Sequence, residues 1–539
     1  MKITRRAFPV GLAGIAGAAL GCRDALPARA QTPVSAGNEG LHLTLAGPSF
    51  ATPVLDPALV RDNATMTIVR QLFRGLLAFD GNLELQSALA ASVTADAEGR
   101  VYDVLLRDGI TFHDGRPIVA EDVASSFLRA LDPVTADGDA SALAAAGQLA
   151  GIDGAADVLA GRAQRLSGVE VRDATRLTIA LTEPDAAFPE KLASVAASIV
   201  DTTVGQSIAA NGTGPFRLDL STFDEKLTMA HIDSPYNGHG TVSTLSFLTG
   251  AAAAMPGNLL QAGTIDIATG LSADEAALLA DPASGVSIQT VAAPEFSLLF
   301  LALSPTMAPL DDPHIRRALQ TGFPWTRLAE AAGASVRPAR GIVAPGMLDR
   351  DWGASIPSYD LARARSEIAQ SRYGEAARVP PIAIYTGQTS LSDPLRNVGV
   401  ALQEYLGEPL GLQIEPVSVA WGDFLAGLPA GRFSTYSLTW VADYPDPSAF
   451  LRVLFGSDSP DNYLGYRSDA FDALISEALS ITDKTSRADL YARAQQMLID
   501  DAVVIPISFD IGYTAFRTGI QGVPVSPIGL VGLESIYGT

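Results

Sequence analysis

Apolar positions along this chain follow two rhythms. From Leu41 to Leu45 they alternate with polar ones, the period of a strand with one buried face. Between Asn63 and Leu77 the spacing changes: Ile68, Val69, Leu72, Phe73 and Leu76 recur at three and four, which predicts a helix. A hairpin is expected where Asp80, Gly81 and Asn82 follow Phe79. Val101–Leu106 reads as a strand, and a turn at His113, Asp114 and Gly115 leads into a helix starting near Ala120. Tyr359–Ser371 puts Leu361, Ala364 and Ile368 on one helical face. Lys484–Asp501 does the same with Leu490, Ala494, Met497 and Leu498. Val503–Phe509 is an apolar strand. The Ala-rich stretches at 140–150 and 250–254 are short and read as local helix or loop. Strand and helix signals stay interspersed, so the fold class is mixed α/β, and no fixed-period repeat is visible.

One stretch has an additional feature. Tyr436–Val441 is aromatic and β-branched and reads as a strand. It must stop at Asp443, Tyr444, Pro445, Asp446 and Pro447, because proline donates nothing to a ladder and pre-sets a turn. The strand end therefore presents Trp440, Asp443 and Tyr444 together. An apolar plate, a fixed negative charge and a phenol suit a small cationic or zwitterionic ligand. The same residues also fit a core tryptophan followed by turn-capping Asp-Pro pairs.

Composition narrows the choice of function. At 539 residues the chain exceeds one hydrophobic core, so two or three domains are expected. With 47% hydrophobic and 18% charged residues it is globular. A formal charge of -22 lacks the basic footprint of a nucleic-acid binder. The one cysteine, Cys22, rules out an intrachain disulfide and a Cys-based zinc site. The five histidines form no close pair, so no metal site and no cofactor are expected.

An enzyme is not expected either. There is no Gly-x-Ser-x-Gly elbow, and the glycine-rich run Asn211–Pro215 lacks the lysine of a phosphate-binding loop. No catalytic residue is assigned. His113 reads as a turn group, and Asp311 and Asp312 as a helix cap before Pro313.

Residues 1–30 read as an export signal. Lys2, Arg5 and Arg6 lead an apolar stretch from Pro9 to Gly21, and the Thr4–Phe8 segment resembles the twin-arginine motif. Cleavage after Ala30 is favoured by the Ala28-Arg29-Ala30 pattern. Cys22, behind Ala19, Leu20 and Gly21, offers a lipoprotein ending instead.

An ordered set of motifs then carries a resemblance. Leu55-Asp56-Pro57, Gly75-Leu76-Leu77, the run Leu106–Gly115, Ala120–Val123 and Leu131–Ala136 resemble the family 5 extracellular solute-binding proteins, the peptide receptors of ABC importers. Gly212–Phe216, Gly263–Ala268, Leu310–Leu319 and Trp440–Pro447 continue it to the C-terminal part. The resemblance implies a two-lobed periplasmic-binding-protein fold (type II, cluster C-like) with an extra subdomain. The divisions it implies are residues 31–79, 201–295 and 504–539 for lobe I, 80–200 for the subdomain and 296–503 for lobe II.

It further implies a monomer that captures a peptide or peptide-like solute in the periplasm and passes it to a permease with ATPase subunits. Asp443 would hold the ligand's amine by charge-assisted hydrogen bonds. Thr439, Trp440 and Val441 would line the ligand and pair with it by strand addition, with Tyr444 beside them. Trp421, Arg61, Asn63 and Arg396 are further expected contacts. Ser437 stands where oligopeptide receptors often carry a basic residue, and Asp139 where they carry an aromatic. Those departures leave room for an opine, a sugar or a metal chelate, although no histidine lies near Trp440 to suit nickel. A peptide hydrolase that kept the groove is the less favoured alternative.

Overall fold

Alternation places the first strand. In Leu41–Ala46, Leu43 and Leu45 are buried while His42 is exposed. The strand runs parallel to Val242–Leu248 on one side and to Ile267–Leu271 on the other. The computed structural model describes residues 40–47, 54–60, 62–205, 208–219, 226–233, 241–282, 287–325, 335–388 and 396–538. The export segment with Cys22, and Arg61, lie outside the described residues.

The helix expected over 63–77 stops early, at Asn63–Leu72. The backbone N–H groups of Thr213 and Gly214 donate to the Leu72 carbonyl at 3.0 and 2.8 Å. They take the acceptor that the next helical turn needs. Only glycine allows so close an approach, since a Cβ on Gly212 would lie 2.0 Å from the Leu72 oxygen and one on Gly214 2.4 Å from the Gln71 oxygen. His113 fastens this crossover turn: its Nδ1 accepts from Gly212 N at 3.1 Å, and its Nε2 lies 2.9 Å from the Gly214 carbonyl. Burial lowers its pKa, so the ring is a neutral structural link.

The extra subdomain is a four-stranded antiparallel sheet in the order Ala90–Ala95, Val101–Leu106, Arg176–Ala180, Val169–Val171. Its core joins Val104, Leu106 and Ile179 to Val123 and Phe127 of the helix Ala120–Leu131.

The other lobe is built around Ser297–Leu303, in which every residue is buried. Its side chains divide by parity. Leu298, Phe300 and Ala302 enter one core with Phe424, Tyr436 and Leu438, and Leu299, Leu301 and Leu303 enter another with Ile315, Ile384 and Ile414. A strand covered on both faces reads as a continuous apolar run. Asp312 caps the helix Pro313–Thr321 as expected, its Oδ1 accepting from His314 N at 2.9 Å.

Among the described residues, two passages of chain join the lobes. Ile288–Pro294 gives way to Ser297–Leu303 across Glu295 and Phe296. The strand Val504–Arg517 is longer than the apolar run 503–509 suggests. Its first part pairs with Ser297–Leu303 and its second with Ile288–Pro294 and Ile267–Leu271. At the crossing, Glu295 N donates to the Asp510 carbonyl and Asp510 N to Ser297 Oγ, both at 2.9 Å.

Candidate ligand site between the lobes

The strand Thr435–Val441 is bonded unequally on its two sides. Ser297–Leu303 pairs with all seven of its residues. Ile382–Gln388 meets it only at Tyr436 and Ser437. Among the described residues, the backbone from Leu438 to Val441 has no strand partner on that second side. Burial changes at the same place: Thr435–Leu438 are buried, and Thr439, Trp440 and Val441 are partly exposed. Trp440 is fixed by Nε1 donating to the Ala449 carbonyl at 2.9 Å, which leaves its ring as a rigid wall.

Asp443 follows in the turn and is half-buried. Its Oδ2 accepts from Nε2 of Gln148 at 2.5 Å. Gln148 sits on the short helix Ala146–Leu149 of the subdomain, so this bond spans the cleft. Arg70, from the helix Asn63–Leu72, is also close enough to feel the charge of Asp443. Its Nη1 donates to the Ile528 carbonyl at 2.8 Å. Desolvation pulls its pKa down to about 10, against the opposing pull of Asp443, and the group stays cationic at neutral pH.

A second interlobe cluster lies three residues along. Asp446 is fully buried: its Oδ1 accepts from Ser448 N at 2.9 Å and Tyr491 Oη at 3.0 Å, and its Oδ2 lies 3.3 Å from Arg487. Facing it from the first lobe's side are Lys191, which pairs with Asp185 at 2.6 Å, and Glu190. Burial, and then the charge of Asp446, push the Glu190 carboxyl up to about 7. Ala186 N donates to the Leu479 carbonyl at 2.7 Å, and Phe79 and Ala187 pack into the core around Phe450 and Tyr491. The lobes are therefore closed on one another.

The expected contacts separate on this frame. Tyr444 is 1% exposed, its hydroxyl 3.2 Å from Ser448 Oγ and its ring 5.5 Å from the Lys191 ammonium. Its phenol is committed to the lobe interface rather than presented to the cleft. Trp421 is 40% exposed at the start of the helix Trp421–Gly427, stacked on Phe424 at 5.9 Å. Asn63 and Arg396 begin the helices Asn63–Leu72 and Arg396–Leu402, and their side chains lie outside the described residues. Ala64, next to Asn63, lines a cavity of about 210 Å³ with Thr67, Thr269, Glu295 and Tyr513. Burial beside Asp510 pushes Glu295 up to about 7. Ser437 is buried against Thr386 Oγ1 at 3.1 Å.

Gln148 and Arg70 were not visible as site residues in the sequence. The only signal for Gln148 is one long polar side chain in the Ala-rich run 140–150. Arg70 looks like the polar face of an amphipathic helix.

An open strand edge and a half-buried carboxylate between two closed lobes define a protein that encloses a small solute. The chain belongs to the bacterial extracellular solute-binding proteins, family 5, whose middle-region model matches residues 84–462. It is 28% identical over 507 residues to the probable deoxycholate-binding periplasmic protein YgiS of Escherichia coli K12, covering 90% of this chain and 91% of that one. It is 24% identical to the periplasmic oligopeptide-binding protein OppA of the same organism, with 87% of each covered. Its fold matches the E. coli murein tripeptide binding protein MppA with a TM-score of 0.77 at 22% identity, over 93% of this chain and 99% of that one. These relatives are substrate-binding proteins, and no helix among the described residues is long and apolar enough to cross a membrane.

Proposed function

We propose that this protein is an exported receptor of an ABC importer, residing in the periplasm. It closes its lobes on a peptide or peptide-like solute and hands it unchanged to a permease with ATPase subunits. The observation carrying this reading is the edge Leu438–Val441, without a strand partner among the described residues on its second side, ending at Asp443. An extended peptide adds to such an edge through its backbone, and a carboxylate at the end of the edge holds its terminal ammonium. Thr439, Trp440, Val441 and Asp443 are the contacts proposed, with Trp421, Asn63, Arg61 and Arg396 as further ones.

The test is native mass spectrometry of the protein purified from its own cells, followed by titration with the identified solute. Recovery of peptides that rebind saturably is the expected result. A protein that retains and binds no small solute would end this reading.

A second reading, a non-peptide anion, is favoured by Arg70, which brings a partly buried positive charge toward Asp443. The same spectrum separates the two.

A further inference from the structure

Gln148 is 5% exposed, and its two polar atoms have unequal surroundings. Nε2 donates to Asp443 Oδ2 at 2.5 Å, while Oε1 is buried with no hydrogen-bond partner. The orientation is set by chemistry, because a carboxylate only accepts and the amide nitrogen must face it. Its carbonyl oxygen is thereby left as a desolvated acceptor one amide group away from a negative charge. Native proteins rarely leave such an atom unmatched, and an unmatched one calls for a missing donor.

We propose that Gln148 is a specificity-determining residue: its Oε1 accepts from the same ligand ammonium that Asp443 binds, so the amine is read by one side chain from each lobe. This rests on the reading of Asp443 as the amine anchor. An ammonium carries three N–H donors, and a single carboxylate does not satisfy all three. Gln148 supplies an acceptor without adding a charge. The neighbouring Gly147 brings the same short helix toward Asp461 of the other lobe, whose Oδ2 would lie 3.9 Å from an added Cβ. The second acceptor is therefore in place only when the lobes are shut, and discrimination for a free amine belongs to the closed state.

The test uses the full exported chain and a random tripeptide pool offered together with the same pool N-acetylated. The readout is the ratio of free-amine to acetylated peptides retained, by native mass spectrometry. Wild type should favour the free-amine pool, and Asp443→Asn should abolish that preference. Gln148→Leu, apolar and without a hydrogen-bonding side-chain atom, should cut the preference about five- to tenfold. Gln148→Glu keeps an acceptor oxygen but sets a second carboxylate against Asp443, so it should not lower the free-amine preference below wild type. Should Gln148→Leu fail to fold, Gln148→Met, close in length and volume and without the amide, gives the same contrast. A Gln148→Leu or Gln148→Met ratio equal to wild type, with Asp443→Asn still losing it, overturns this inference alone. No preference in wild type, or one that survives Asp443→Asn, overturns the anchor reading as well.

Discussion

Asp443 and Asp446 stand in one Asp-Tyr-Pro-Asp turn and meet opposite surroundings. Asp446 is fully buried, and a backbone amide, a phenol and a guanidinium surround it. Asp443 is half-buried and its Oδ2 meets a neutral amide from across the cleft. The first is a carboxylate whose protein partners neutralise it, and it serves architecture. The second lies partly exposed at the boundary of the closed lobes, with Arg70 near enough to feel its charge. Residue type and motif do not distinguish the two; the partner set does.

The contrast can be broken most strongly at Asp446. Asp446→Ala strands Arg487, itself 2% exposed, and should cost about 3–5 kcal/mol in chemical denaturation, with the choice of ligand unchanged in the molecules that fold. Asp443→Asn should do the reverse. It should change stability by less than about 1 kcal/mol and weaken binding of free-amine ligands by about 1.5–3 kcal/mol, roughly 10- to 100-fold in titration calorimetry. Equal losses of stability in the two variants would erase the distinction.

A pH series sharpens it further. The folded value of Glu190 is about 7, above its ordinary value of 4.5, so the folded protein keeps a proton that the unfolded chain releases. Stability from this group is fully present below about 4.5 and is lost as pH rises through about 7. Glu190→Gln should therefore raise the thermal midpoint at pH 8 and leave it nearly unchanged at pH 4.5. The smallest effect is expected at Trp421, where replacement by Ala removes one stacked ring and should cost about 0.5–1.5 kcal/mol. Its consequence for ligand affinity tells whether that exposed ring touches the solute.

Elements with strong periodicity were legible in the sequence. Lys484–Asp500, Leu361–Gln370 and Thr435–Val441 lie within a residue or two of where apolar spacing puts them. The helix from Asn63 was read too long because its end is set by a turn well over a hundred residues later, through the Leu72 carbonyl. Val504–Arg517 runs on past the apolar run 503–509 because four partly exposed residues, Asp510 to Tyr513, interrupt its buried side chains at the crossing. The strand end at Asp443 was legible from its prolines. Its company was not: Gln148 arrives from a segment 295 positions away, and no local pattern marks an amide in an alanine run. Tyr444 looked identical in sequence to a cleft phenol, and only the packing of Lys191 above it reveals its task.

The strand Val504–Arg517 has a consequence for how the protein is made. Both halves of the large sheet wait for it, and it lies close to the carboxyl end. A nascent chain stopped at Val503 would lack a central rung in each half, so neither is complete until this strand has been synthesised. Truncation there should yield an aggregation-prone product instead of one finished lobe and one ragged one.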